Sequence, residues 1–366
     1  MSDSRRQYRA IKRALKQLYP GEPQGNLARH LETLVFLVSG IIASKSCQLP
    51  KIASHTPGDV HPDSRTKQLS RWVQNDAVTF DLYSRSVPFV QPLLDRLAAV
   101  RPLVLIMDGS AVARDCVTLM VSVIYGCRAI PIGWLVITGE KGHFPTDAHL
   151  ALLREVKTRV PASASVIFLG DGEFDSPELQ AELEAYHWEY ACRTAKNILI
   201  SVDEKWLNLV ELAVARGQRV FRKGALFTKT AYGPVLVIAW WGARYQEPIY
   251  LVSNMSSVQR ACDCYKKRMR IETFFSDQKS RGFHLDRSHL SDPERVQRLM
   301  FAASLAYLWV IALGVVVQED DWLPLIHRRH RCDLGLFQSG LRLLSYLLNH
   351  DQPIPSSFKL EPETVR

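Results

Sequence analysis

The 366-residue chain predicts an α/β fold, a mixed sheet flanked by helices, on three observations. Two apolar β-type runs, Leu103–Met107 and Val166–Leu169, show no polar alternation, and each gives way to an aspartate, Asp108 directly and Asp171 after Gly170. That is how strands buried on both faces read. From residue 102 the element order is strand, strand, strand, helix, strand, helix, strand. The first 97 residues, in contrast, read as helical and basic.

Taken in order, residues 1–97 form a helical region with a turn at 21–25 (GEPQG), a Pro- and His-containing linker at 50–64, and a short basic helix at 64–76 with Ser64 as its cap. Residues 117–127 and 129–138 are adjacent β runs that make a meander with the first strand. The amphipathic stretch 144–160 follows, with Thr146 or Asp147 near its cap, and the Asp171 strand comes next. Residues 176–187 open on Ser-Pro, a helix start, and 188–195 give another strand. Residues 220–254 read as three or four β runs broken at Lys223-Gly224, Gly233-Pro234 and Gly242. Tyr265–Lys279 is read as one helix, Leu299–Val317 as an apolar core helix, 335–350 as a terminal helix, and 358–366 as a frayed end. The apolar run is long enough for a membrane span; its Ala content, the basic helix before it and the lack of a second span favour a core helix.

An Asp at the carboxyl end of a central strand lies where open α/β sheets place their sites, although either residue alone could merely begin a turn. A third acid, Glu272, stands in YKKRMRIETFFSDQK. At about 100° per residue, Tyr265, Arg268 and Lys279 fall within roughly 60° of it on one helical face. Two cations beside a carboxylate suit a site that holds phosphate through the bases and a cation through the acid. The same spacing also describes a solvated, ion-paired surface. Asp115, Glu173, Asp175 and Asp277 are neighbouring acids that compete for the same roles, Glu173 most seriously.

The net charge of +9 and pI near 9.2 favour a polyanionic partner. Residues 1–100 carry 14 Lys and Arg against 8 Asp and Glu, so +6 of the +9 lies there. Helix 64–76 could enter a groove, but it has no second helix at helix-turn-helix spacing. Seven cysteines without C-x-x-C spacing indicate neither a zinc ribbon nor a disulfide framework. Reduced thiols, and a polar, basic start with no apolar run behind it, point to a cytoplasmic protein. The basic segment His327–Cys332 offers three possible metal ligands and no fourth.

Tyr265, Arg268, Glu272 and Lys279 keep the spacing Tyr, two residues, Arg, three residues, Glu, six residues, Lys. In this the chain resembles the insertion-sequence-four family of bacterial DDE transposases. IMDGS around Asp108, LGDGEFDS around Asp171, PIYLVSN before the signature and KSRGFHLD after it agree, and the resemblance covers roughly residues 100–315. It implies an RNase H-like fold with the first acid on the first strand and the second on the fourth. It divides the chain into a basic, end-DNA-binding region (1–97), a catalytic domain in two parts (98–198 and 251–317), a β-rich insertion (199–250) ahead of the catalytic helix, and a C-terminal helical region (318–366).

The activity it implies is excision of a mobile element at its terminal inverted repeats and joining of the 3′ ends to target DNA. Asp108, Asp171 and Glu272 would hold two Mg²⁺ or Mn²⁺ ions, Asp108 touching both. Tyr265, Arg268 and Lys279 would contact DNA near the cut, and Trp240 or Trp241 could stack an extruded base. The partners implied are double-stranded DNA and a second copy of the chain in the DNA complex, with no membrane. An RNase H-like endonuclease without strand transfer and a transposase-derived DNA-binding protein are the alternatives.

Overall fold

The computed structural model describes residues 2–18, 22–78, 90–140, 142, 144–243, 245–320, 322–328 and 333–361. Its N-terminal region holds helices α1 (Asp3–Lys16), α2 (Gly25–Ser44), α3 (Leu49–Ser54), α4 (Pro62–Gln74) and α5 (Val90–Ala98). Two local expectations are corrected here. The linker at 50–64 is partly helix α3, since Pro50 lies in the first turn, where a missing N–H costs no intrahelical bond. Helix α4 starts at Pro62, with His61 Nδ1 accepting the Asp63 N–H at 3.3 Å, so His61 rather than Ser64 is the cap. On α4, Arg65 is buried and its guanidinium lies 3.9 Å from the Phe36 ring centre, while Lys67 and Arg71 face outward.

Strands β1 (Leu103–Ala113), β2 (Cys116–Tyr125), β3 (Arg128–Thr138), β4 (Val166–Gly170), β5 (Glu189–Thr194), β6 (Leu199–Val202), β7 (Lys205–Asn208), β8 (Arg219–Phe227), β9 (Tyr232–Trp240) and β10 (Ile249–Ser253) form one sheet. Their order is β3-β2-β1-β4-β5-β10-β9-β8-β6-β7. Within the first five, β1–β3 are an antiparallel meander and β4 and β5 run parallel to β1. This is the RNase H-like arrangement. Strands β6 to β9, between the second and third acids, extend the same sheet through β10. Lys223-Gly224 does not break β8; the register merely shifts there, between Arg222 and Ala225, as a bulge would.

Helices cover both faces of the β1–β3 end, which is why those strands lack polar alternation. A Cβ on Gly133 of β3 would meet Val156 of α6 (Thr146–Lys157), while its neighbour Trp134 faces Phe301 of a long helix on the other side. Pro145 precedes α6 without a side-chain cap, so neither Thr146 nor Asp147 plays that part. Helix α7 (Pro177–Ala185) starts as expected, Ser176 Oγ accepting the Leu179 N–H at 3.2 Å.

The Tyr265–Lys279 stretch is not one regular helix. Helix α8 (Val258–Tyr265) passes through a 3-10 turn, Lys266–Met269, into α9 (Arg270–Gln278), and Lys279 lies just past its end. The long helix, α10 (Pro293–Glu319), is followed by α11 (Leu323–Ile326) and α12 (Leu336–Asn349). Phe274 on α9, Tyr307 on α10 and Phe337 on α12 make an aromatic column, edge-to-face at 4.9 Å and then stacked at 5.6 Å. This column seats α9 against the core.

Among the described residues two helices are long and apolar enough to cross a membrane, α10 and also α2, which corrects the expectation of no second such segment. In α10 that apolar window is 94% buried by the protein's own packing, as a core helix requires. The chain end is not frayed as far as Glu361. Phe358 and Leu360 are buried, Arg96 donates to the Leu360 carbonyl, and Tyr125 to that of Glu361. Of the segment His327–Cys332, residues 329–332 lie outside the described residues, and His327 pairs with Asp333 at 2.9 Å.

Candidate active site

Asp108 was expected at the end of its strand and instead lies inside β1, which continues to Ala113 because β2 goes on pairing with it. The pairing with β4 stops at Ile106↔Leu169. Beyond that point, among the described strands, β1 pairs with β2 alone, and Asp108 emerges at the resulting notch. Asp171 follows β4 at the same level. Each aspartate sits next to a glycine that must stay small: a Cβ on Gly109 would come within 2.7 Å of Phe144, and one on Gly170 within 2.6 Å of Phe174. Close packing therefore fixes both backbones.

The 3-10 turn supplies the piece that joins them. Arg268, in that turn, is buried and points its guanidinium between the acids. Nη1 donates to Asp108 Oδ2 at 3.1 Å and stands 3.9 Å from Asp171 Oδ2, while Nη2 donates to Glu272 Oε1 at 3.0 Å. The three predicted acids are thus brought together around one cation. Asp108 is only 3% exposed and takes the Gly109 N–H on its other oxygen at 2.8 Å. The Glu272 side chain is 49% exposed, so the centre opens to solvent on the helical side. Burial lowers the pKa of Arg268, but Tyr265, Asp108, Asp171 and Glu272 together outweigh it and leave the group above its ordinary value.

Tyr265 is buried and its phenol is pushed up to about 12 by burial, Arg268 and Arg193 pulling the other way. Lys279 Nζ donates to Ser110 Oγ at 2.6 Å, two residues along β1 from Asp108. All four signature residues therefore converge on the notch, although Tyr265 and Arg268 face inward rather than toward a DNA surface.

Charge counting separates this centre from an ordinary ion pair. Three carboxylates against Arg268 and the nearby Lys279 leave a formal surplus of −1 in a part-buried place, and the three acids offer carboxylate oxygens as donors. A hard divalent cation fits that donor set. Among the described residues no group of three or more His, Cys, Asp or Glu is spaced to hold an ion; the Arg268 guanidinium stands between the three acids.

In sequence, residues 116–309, just over half of the chain, match the transposase DDE domain family. The chain belongs to that family. The matched stretch contains Asp171, Tyr265, Arg268, Glu272 and Lys279 and begins eight residues after Asp108, so for this transposase Asp108 rests on geometry. No curated protein matches the chain in sequence. Among solved structures, a piggyBac transposase in a synaptic complex with hairpin DNA, determined by cryo-EM, is similar at 10% identity with a TM-score of 0.47, over 97% of this chain and 83% of that one.

Glu173, Asp277 and Asp115 have partners elsewhere, whereas Asp175 lies close enough to Asp171 to feel its charge. Glu173 Oε1 accepts the Phe144 N–H at 2.8 Å, holding the loop that packs on Gly109. Asp277 pairs with Arg128 at 2.6 Å. Asp115 lies in the exposed β1–β2 turn beside Arg114, and burial raises the pKa of Asp175. The tryptophans give less than expected. Trp240 is 5% exposed, with Arg219 and Lys266 over its ring and Tyr245 at its edge, so no face is open for a base. Trp241 is half-buried and donates its indole N–H to the Tyr245 carbonyl at 3.1 Å.

Proposed function

We propose that this transposase is of the insertion-sequence-four type, cutting at the terminal inverted repeats of a mobile element and joining its 3′ ends to target DNA. The observation that carries the reading is the gathering of Asp108, Asp171 and Glu272 on Arg268, where carboxylates outnumber the cations even with Lys279 counted. In this reading Asp108, Asp171 and Glu272 would hold two Mg²⁺ or Mn²⁺ ions. Such ions, when bound, activate the attacking oxygen and stabilise the leaving one.

The chain's own residues do the positioning. Gly109 and Gly170 keep the two aspartates at fixed depth, and the Arg268 guanidinium holds Glu272 toward them. Arg268 lies within reach of a phosphate presented to the acids, as does Lys279 from Ser110, and planar N–H pairs and ammonium groups both serve such anions. Trp241 is the more open of the two tryptophans for an extruded base. A second copy of the chain would complete the assembly on DNA, and the setting would be the bacterial cytoplasm.

Incubating the protein and Mg²⁺ with a plasmid that carries this gene and its flanking DNA tests the proposal. An excised fragment whose 3′ ends become joined to a second plasmid is expected. Cutting without joining would favour the endonuclease, and binding without cutting a DNA-binding derivative.

A further inference from the structure

The molecule's other concentration of charge lies far along the sequence from the three acids. Helix α1 buries Tyr8, Ala10, Ile11, Ala14 and Leu15 against α2 and the core, and turns its cations away from them. At about 100° per residue, Arg5, Arg9, Lys12, Arg13 and Lys16 fall within an arc of roughly 100°. Over these residues the helix rises about 16 Å. Four of the five, all but Arg5, line a cleft of about 560 Å³ whose far wall is residues 351–354 near the other end of the chain.

That wall is held by Arg6. Its guanidinium donates to the carbonyls of Leu347 (3.1 Å), Leu348 (3.0 Å) and Gln352 (2.6 Å) and to Asp351 Oδ1 (2.9 Å). Arg6 thus builds the cleft, and Arg9, Lys12, Arg13 and Lys16 line it. Lys12 and Lys16 pair with Glu32 and Glu22 at 3.1 and 3.2 Å on the surface, contacts weak enough to exchange for a phosphate. Arg5 and Arg13 make no side-chain ion pair among the described residues.

We propose that this cleft seats the phosphodiester backbone of duplex DNA without regard to sequence; the inference rests on the DNA-joining function above and adds where the duplex is held. A 16 Å row of cations matches the axial rise of about five base pairs of duplex, more than any single phosphate or nucleotide would occupy. Among the described residues no aromatic side chain lines the cleft, so they supply no stacking platform of the kind single strands use. Phosphate contacts position a duplex and base contacts specify it. On this division α1 positions DNA, and sequence is read elsewhere.

The test uses the full chain and fluorescence anisotropy with two labelled duplexes, one of random sequence and one from the DNA flanking the gene, across a salt series. Arg9→Ala/Arg13→Ala should weaken both duplexes alike and make the log–log salt slope shallower by about 2, one unit for each phosphate no longer neutralised. Arg13→Ala alone should give about half that change in slope. A thermal melt checks folding, and the Arg9→Gln/Arg13→Gln protein replaces the alanine pair if that one melts early. Wild-type affinity and slope in the double variant would overturn the cleft while leaving the proposed function standing. Failure of the wild-type protein to bind either duplex would overturn both. Displacement of the random duplex by single-stranded RNA of equal length more readily than by unlabelled duplex would show that the cleft takes a different polyanion.

Discussion

Two arginines, Arg268 buried and Arg128 part-buried, hold the segment from Lys266 to Lys279 against the sheet, and they stand in opposite electrostatic situations. Arg268 faces three carboxylates, from β1, from the end of β4 and from α9. Arg128, on β3, pairs among the described residues with a single carboxylate, Asp277 of α9, at 2.6 Å. At Arg128 the charges balance, and burial outweighs the arginine enough to push Asp277 up to about 6. At Arg268 the acids outnumber the base, and the surplus is open to solvent through Glu272. Paired and buried, charge anchors a helix; in excess and accessible, it invites a cation and a phosphate.

The largest expected effect separates the two centres by activity. Asp108→Asn, Asp171→Asn or Glu272→Gln should each reduce DNA cleavage by at least about 10³-fold, the scale of losing one preorganised charge-stabilising group. Asp277→Asn should cleave within a few-fold of wild type. An inactive Asp277→Asn protein that still melts like wild type would erase the distinction.

Next come the arginines. Removing one partner of a buried pair costs about 3–5 kcal/mol, so Arg268→Ala and Arg128→Ala should both lower the unfolding free energy in chelator. Adding Mn²⁺ should restore much of the stability of Arg268→Ala, whose acids then have a cation, and little of that of Arg128→Ala. Equal rescue, or none in either, would break the comparison.

The pH dependence of Asp277 is smaller. Its folded pKa of about 6 stands above the ordinary 3.8, so the folded state holds the proton more tightly than the unfolded chain. The stability this contributes is complete below about pH 4 and is lost as pH rises through about 6. Asp277→Asn lacks that loss. From pH 4 to pH 7 the difference in unfolding free energy should therefore move in favour of the variant by about 2–3 kcal/mol, and denaturant titrations that give a constant difference would contradict it. Smallest is Glu173→Gln, which leaves an amide oxygen for the Phe144 N–H and should slow cleavage by no more than about tenfold; inactivity there with an active Asp171→Asn would exchange the two acids.

Much of this was legible in the residues. The apolar runs before Asp108 and Asp171 gave two strands because full burial leaves no reason for polar alternation, and the spacing of Tyr265, Arg268, Glu272 and Lys279 marked the right segment. What it did not reveal was the 3-10 turn at Lys266–Met269. Nothing in KKRM forbids an α-helix, and the turn reflects packing of Tyr265 and Arg268 beneath the sheet. The length of β1 beyond Asp108 was hidden for a similar reason, since Gly109–Ala113 is held as strand by β2 rather than by its own composition. Likewise Phe358 and Leu360 are buried only because distant partners, Arg96 and Tyr125, fasten the chain beside them. Glu173 and Asp277 could not be set aside from sequence, because what disqualifies them is the N–H or guanidinium each one faces.

The central claim is that the surplus of carboxylates around Arg268 is where divalent cations bind. Calorimetric titration of Mn²⁺ into the wild-type, Asp108→Asn and Asp277→Asn proteins, without DNA, tests it most directly. Binding by the wild-type and Asp277→Asn proteins and its loss in Asp108→Asn is the predicted result; Mn²⁺ binding by Asp108→Asn with wild-type affinity and stoichiometry would contradict it.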